Sequence, residues 1–186
     1  MRYINQQGNY LPMYKGRYKV SNVCQLLDKS KYPATQTING VTFTNNGDGT
    51  ITANGTATTE ANFRLSSFRT LAAHKYLLIG SPANGSGATY YLGGNYTRDS
   101  GAGFIANGGN ASNYVCCVAE GYTANNLIFK PQFFDLTEMF CIGNEPTSVA
   151  EFKEKFPDDL YPYSPYCWAK IKSLIYKDDI DYIKMK

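Results

Sequence analysis

Histidine is nearly absent from this chain of 186 residues, and the single copy is His74. Nucleophilic catalysis needs a base beside the nucleophile, most often a histidine. His74 lies in "LAAHKYLL", directly before an apolar run, where we interpret it as a turn residue. The adjacent acids at 158–159 and 178–179 are typical of solvated charge, because glycosidase acids flank a cleft about 5–10 Å apart. The sequence therefore predicts that the protein is not an enzyme.

Cysteine spacing of the kind that holds a metal ion is also missing. The five cysteines stand at positions 24, 116, 117, 141 and 167, without a C-x-x-C pair. Structural zinc sites use such pairs, or histidines at fixed spacing, so we predict no metal centre and no cofactor. Cys116 and Cys117 would point to opposite faces of a strand, which predicts that at least one of them is a small buried hydrophobe.

Charge and long apolar runs are scarce as well. Charged residues make up 18% of the chain and the net charge is +3, with lysine and arginine scattered outside the C-terminal segment. This balance argues against nucleic-acid binding. No run approaches the roughly 20 apolar residues of a membrane span, and the first thirty residues lack the apolar centre of a secretory signal. We therefore expect neither membrane insertion nor a signal peptide.

The clearest local signal that is present is a β-hairpin at 41–57, "VTFTNNGDGTITANGTA". Apolar and polar residues alternate on both sides of "NNGDG", and Asn and Gly tolerate the positive φ angles of tight turns. A calcium loop is the competing interpretation of the turn. Its only carboxylate is Asp48, which is too little charge for a dedicated site, so we favour a plain turn.

Further short runs predict the remaining strands. The stretch at 126–134 contains Pro131, which cannot donate to a ladder and predicts an edge or a bulge. Short strands separated by turn residues roughly every ten positions predict an all-β protein, an antiparallel β-sandwich or jelly roll. The runs are "NFRLS" (62–66), "KYLLIG" (75–80, suited to a strand buried on both faces), "ATYYLG" (88–93), "GFIA" (103–106), "NYVCCVA" (113–119) and "NLIFKPQFF" (126–134).

Two short helices are predicted after the last strand. Asp135 is followed three residues later by an acid, and so is Ser148, which is the capping-box pattern. Val149, Phe152 and Phe156 fall on one apolar stripe. Prolines at 157, 162 and 165 then force an extended exit. The pattern predicts a two-helix clasp at 135–157 whose stripe covers the open end of the sandwich.

The stretch 135–163 also carries a family resemblance. It resembles a recurrent ending of β-sandwich modules in tail, baseplate and fibre proteins of phages and prophages, D-L-T-x-M-F-G-x-G-N-E-P-x-[ST]-x-x-E-F-x-x-x-[FY]-P-x-x-Y-x-P-Y. Cys141 stands in place of the first glycine, and Leu160 in place of a frequent aromatic. The resemblance covers about 24–166. The matching residues are Asp135, Leu136, Thr137, Met139, Phe140, Gly143, Asn144, Glu145, Pro146, Glu151, Phe152, Phe156, Pro157, Tyr161, Pro162 and Tyr163.

The resemblance implies a fold like that of carbohydrate-binding jelly rolls and a place in a virion. We therefore expect a non-enzymatic structural component of a tail, baseplate or fibre, made in the host cytoplasm. Its expected partners are other virion proteins and further copies of itself, with a bacterial surface glycan as an additional candidate. The alternative is a carbohydrate-binding module of a bacterial cell-surface or secreted protein, since fold does not fix activity.

The two ends lie outside the resemblance and divide the chain into an N-terminal arm (1–23), the module (24–166) and a C-terminal arm (167–186). Both arms are rich in apolar residues, which are unfavourable when left in water. We predict that they add strands to neighbouring subunits or pack against them. The candidate interface residues are Tyr10, Tyr14, Trp168, Ile171, Ile175 and Ile183.

A sugar site is the remaining prediction, in "ATYYLGGNYTRD". Tyr90 and Leu92 share one strand face, so Tyr91 points to the other. The candidate ligand-binding residues are Tyr91, Tyr96, Arg98 and Asp99, which would form an exposed site with Tyr114 and Tyr122 nearby. The competing interpretation is that these tyrosines pack a second sheet face or an oligomer interface.

Overall fold

The computed structural model describes residues 23–94 and 97–164. This part of the chain contains eleven β-strands, a 3-10 helix at Lys29–Lys31 and two short α-helices, so the all-β prediction is confirmed. The strands are β1 (Gln36–Ile38), β2 (Val41–Asn45), β3 (Ile51–Thr56), β4 (Ala61–Arg69), β5 (Lys75–Ile79), β6 (Tyr90–Gly93), β7 (Arg98–Asp99), β8 (Phe104–Asn107), β9 (Ala111–Val118), β10 (Thr123–Phe129) and β11 (Gln132–Asp135). The helices are α1 (Leu136–Phe140) and α2 (Val149–Lys155).

The strands form three antiparallel sheets around one main core. Their orders are β1-β2-β3-β10, β11-β5-β8 and β4-β9-β6-β7. Phe43 of β2 stacks on Phe63 of β4 with ring centroids 5.3 Å apart, and Tyr114 of β9 meets Phe133 of β11 at 4.5 Å. All four rings are buried in the same cluster. Each sheet therefore turns one apolar face to a shared interior, as in a β-sandwich.

The predicted hairpin at 41–57 is confirmed as β2 and β3. Its turn is held by Asp48, whose Oδ1 accepts from the backbone N–H and the hydroxyl of Thr50 at 2.8 and 2.7 Å. These hydrogen bonds, the hydroxyl one first, lower the pKa of Asp48. Gly47 and Gly49 have φ angles of 79° and 105°, which an L side chain rarely adopts. The carboxylate is thus used within the turn itself.

The prediction of a single strand at 126–134 is wrong. The chain leaves β10 at Lys130, whose N–H donates to the carbonyl of Gly80 at 2.7 Å, and then enters β11 in a different sheet. Pro131 lies at this junction, where its missing N–H costs no ladder bond. Gly80 approaches so closely that an added Cβ would collide with the Lys130 carbonyl oxygen. The proline therefore marks a change of sheet between two edge strands, so the edge alternative of the prediction is confirmed and the bulge is not.

Strand β5, at the centre of the sheet β11-β5-β8, is buried on both faces. Tyr76 and Leu78 of β5 belong to the main core, whereas Leu77 between them belongs to a second cluster with Phe134 of β11. The alternation explains why "KYLLIG" is apolar at almost every position. The prediction of a strand buried on both faces is confirmed.

The two helix starts use side-chain caps. Asp135 Oδ1 accepts from the N–H of Glu138 at 2.9 Å, and Ser148 Oγ accepts from the N–H of Glu151 at 3.1 Å. Both predicted N-caps are confirmed, but the capping box at Asp135 is not completed, since the Asp135 N–H donates to the carbonyl of Cys24 at 3.2 Å instead of to Glu138. The Glu151 carboxylate takes the N–H of Thr147, one residue before the cap, at 2.9 Å. Orphan amides at both helix starts are thereby satisfied.

The helices pack on the outer face of β11-β5-β8, not on an open end of the sandwich as the sequence suggested. Phe152 is 2% exposed, and its ring lies 4.9 Å from that of Phe134. Val149 and Phe156 are only partly buried beside it. The apolar stripe is therefore anchored by Phe152, and Phe156 lies half-buried beside it.

The predicted arms fall outside the described residues, apart from Val23, which is buried in the second cluster. The prediction that the arms contact neighbouring subunits stands as a prediction. The residues concerned are Tyr10, Tyr14, Trp168, Ile171, Ile175 and Ile183.

Candidate ligand-binding site

The outer face of the sheet β4-β9-β6-β7 carries two of the predicted sugar-site residues, Tyr91 and Arg98. Tyr90 and Leu92 lie in the main core, so Tyr91 between them faces outward, as predicted. Arg98 of β7 pairs with Gly93 of β6, which puts its side chain on the same outer face. The strand order thus brings Tyr91 and Arg98 together.

A depression of about 390 Å³ opens at this place in the sheet. Asn113 contributes to it from β9, which pairs directly with β6, and Arg64 contributes from β4, on the far side of β9. We call it the arginine depression, after the two exposed arginines in its wall. It is lined by Glu60, Asn62, Arg64, Tyr91, Gly94, Arg98, Asn113 and Val115.

Tyr91 supports Arg98 instead of offering a free ring. The Arg98 guanidinium carbon lies 3.9 Å from the centroid of the Tyr91 ring, a cation–π contact. A Cβ added at Gly93 would lie 3.0 Å from the ring edge, so the ring also rests against the glycine backbone. Tyr91 is only 6% exposed, and this burial raises the pKa of its hydroxyl. The ring has too little free surface to stack on a sugar.

The charges around Tyr91 are unequally matched. Glu60 is the one acid of the depression, and it accepts from Asn62 Nδ2 at 2.7 Å and from the Tyr91 hydroxyl at 3.4 Å. Among the described residues, no carboxylate lies within salt-bridge distance of Arg64 or Arg98. The depression therefore presents two guanidinium groups and one engaged carboxylate.

Asp99 does not face this depression, which corrects its place in the predicted exposed site. It is 1% exposed, and its Oδ1 accepts from the N–H groups of Gly101 and Gly103 at 2.8 and 2.7 Å. Its Oδ2 accepts from the N–H of Ser81 at 2.8 Å. A buried carboxylate with three backbone donors organises the loops around it and has little capacity left for a ligand.

The other tyrosines of the prediction do not gather at the site. Tyr114 is 1% exposed in the main core, and Tyr122 packs against Tyr90 with ring centroids 5.4 Å apart. Both rings therefore pack in or against the main core. Tyr96 lies outside the described residues.

Sequence reasoning missed the contributions of Arg64, Asn62 and Asn113. The alternation of "NFRLS" and "NYVCC" already put these polar side chains on one strand face. Their meeting with Tyr91 follows only from the strand order, in which β9 lies between β4 and β6. That order is a non-local property of the fold.

His74 closes a turn, as predicted, because its N–H donates to the carbonyl of Leu71 at 3.4 Å, and its side chain also links that turn to α1. Its Nδ1 lies 2.9 Å from Asp135 Oδ2, on the carboxylate that caps α1, and its ring stacks on Tyr76 at 6.2 Å.

Burial raises the pKa of the Cys117 thiol to about 11, so this cysteine is a weak nucleophile. Within 23–94 and 97–164, no three His, Cys, Asp or Glu side chains are grouped as metal ligands would be.

No family model, curated protein or solved structure matches this chain. Neither α-helix in the described residues has the length and apolar character needed to cross a membrane.

Proposed function

We propose that this protein is a non-enzymatic structural component of a phage virion, in a tail, baseplate or fibre. It is made in the host cytoplasm and assembles with other virion proteins and with further copies of itself. The proposal rests on the resemblance of 135–163 to the ending of virion β-sandwich modules. The observation that best supports it is that motif residues build the fold: Asp135 caps α1, and Phe152 fills the second cluster.

The same proposal extends to the finer architecture. The sandwich is of the jelly-roll type, and α1 and α2 act as a clasp that closes the outer face of β11-β5-β8. Support comes from Glu145, a motif residue whose carboxylate accepts from the Thr137 hydroxyl and from the Gly143 N–H, both at 2.8 Å. These bonds tie α1 to the loop that follows it.

Mass spectrometry of purified particles tests the virion proposal. Prophages of the source strain are induced, released particles are banded by density and digested, and peptides of this chain are quantified against a known capsid protein. We expect the chain at a fixed ratio to capsid across the particle band. Its absence from the band, with recovery only in the soluble fraction, would overturn the proposal.

A glycan-binding module is the second candidate, and the arginine depression favours it. The depression combines charged, amide and hydroxyl groups on one exposed sheet face. Such a site is compatible with a virion protein that attaches to a host surface and equally with a free bacterial module.

A further inference from the structure

We infer that the arginine depression binds an acidic saccharide, and that the ligand's carboxylate is held by Arg98 and Arg64. The inference gives a ligand class to the glycan-binding candidate and does not depend on the virion proposal. It begins from the unequal charge of the depression, where Glu60 already accepts from Asn62 and Tyr91.

The charges that line the arginine depression favour an anionic ligand. The one acid that lines the depression is hydrogen-bonded to its neighbours, and neither arginine has a carboxylate partner among the described residues. Two like charges on one concave surface repel each other, and an anion between them removes that repulsion. A guanidinium also matches a carboxylate with two parallel hydrogen bonds. An anionic ligand is therefore favoured over a neutral or cationic one.

The Arg98 side chain is already held in place before a ligand binds. Arg98 is long and exposed, and such a side chain ordinarily loses much rotamer freedom on binding. Here its guanidinium already stacks on Tyr91 at 3.9 Å, and Tyr91 is itself fixed by burial and by Gly93. Part of the ordering cost is thus met in the free protein, which increases affinity.

Two amide side chains in the wall of the depression can bind the hydroxyl groups of a saccharide. Asn62 and Asn113 are exposed polar residues in the wall of the depression, on the adjacent strands β4 and β9. Amide side chains offer both donors and acceptors, the combination that sugar hydroxyls need. The Arg98 guanidinium covers the ring of Tyr91, so a sugar ring cannot stack there, and recognition depends on hydrogen bonds and charge. A nucleic acid would need exposed rings for its bases and a longer basic track.

Titration calorimetry with defined oligosaccharides tests the inference on the full-length protein. The probes are an oligogalacturonate, the matched neutral oligogalactose and an inorganic polyphosphate. We expect binding of the oligogalacturonate that weakens with added salt, little binding of the neutral probe, and weaker binding of polyphosphate, which lacks hydroxyl-bearing rings. No binding of the oligogalacturonate would overturn the inference, and so would equal binding of the neutral probe. Polyphosphate binding as tight as that of the uronate would replace a saccharide with a phosphate ligand.

Variants locate the site. Arg98→Gln is expected to weaken oligogalacturonate binding by at least about tenfold, because a charge-assisted bidentate pair is lost. Arg98→Lys keeps the charge without the planar fork and should recover only part of the affinity. Arg64→Gln should weaken binding in the same direction. Arg69→Gln is the matched control, since Arg69 is exposed on β4, the strand that also carries Arg64, and does not line the depression.

Circular dichroism melts ensure that every variant compared is folded. If Arg69→Gln weakens binding as much as Arg98→Gln does, the effect is general surface charge and the assigned site is wrong. Absence of the chain from virions would leave this result untouched, so the two proposals fail separately.

Discussion

Truncation of Phe152 tests how the helical segment is joined to the sheets. The Phe152 side chain is 2% exposed and contacts Phe134 and Phe156, with ring centroids 4.9 and 5.2 Å apart. A buried phenylalanine removes about 150–250 Å² from water, worth about 4–6 kcal/mol at about 25 cal/mol per Å². Alanine keeps part of this burial, and phenylalanine-to-alanine changes in cores cost about 3–5 kcal/mol. We expect Phe152→Ala to lower the free energy of unfolding by about 3–5 kcal/mol.

Urea unfolding followed by far-ultraviolet circular dichroism measures this change. Lys153→Ala is the matched control, because Lys153 is exposed on the same helix and should shift stability by no more than about 0.5 kcal/mol. A loss below about 1 kcal/mol for Phe152→Ala would refute the packing argument. A separate early transition for the helices would refute a single cooperative core.

Three further predictions concern other parts of the chain. Hydrogen bonds, first to its own amide and then to the Thr137 hydroxyl, hold the pKa of Glu145 below its ordinary 4.5, so the stability that its carboxylate adds to the fold is present above that value and lost as pH falls through the folded pKa. Glu145→Gln should therefore flatten the fall of the melting temperature in acid, and an unchanged slope would contradict this. In a Cys167→Ser background, iodoacetamide at neutral pH should alkylate exposed Cys141 and spare buried Cys24, Cys116 and Cys117 until urea is added, as peptide mapping would show. Deletion of 167–186 should leave the sandwich folded and reduce assembly in light scattering. If the full chain and the truncation are both monomers and the truncation also unfolds, the tail belongs to the domain core.

Local features of the fold were predictable from the sequence because local chemistry determines them. The turn around Asp48 is closed by residues within a few positions of it, and the caps at Asp135 and Ser148 each satisfy an amide three residues away. The inward and outward faces of "ATYYLG" follow from strand geometry alone, and Tyr91 faces outward as predicted.

Non-local features were not predictable, because they depend on which strands become neighbours. Pro131 predicted an edge or a bulge, but only the pairing of β11 with β5 shows that the chain changes sheets there. Asp99 looked like an exposed ligand residue, yet its pairing position opposite Leu92 turns it to the inside of the sheet. That Arg98 and Arg64 line the same depression follows only from the complete strand order β4-β9-β6-β7.

Immunogold electron microscopy of purified particles tests the proposal that this protein is a structural part of a virion. Antibodies are raised against the recombinant sandwich, and particles from a strain in which the gene is disrupted provide the negative control. We expect gold at one fixed position on the tail of wild-type particles and none on the control. Unlabelled wild-type particles, with gold instead on the surface of uninduced cells, would contradict it and favour a bacterial glycan-binding module.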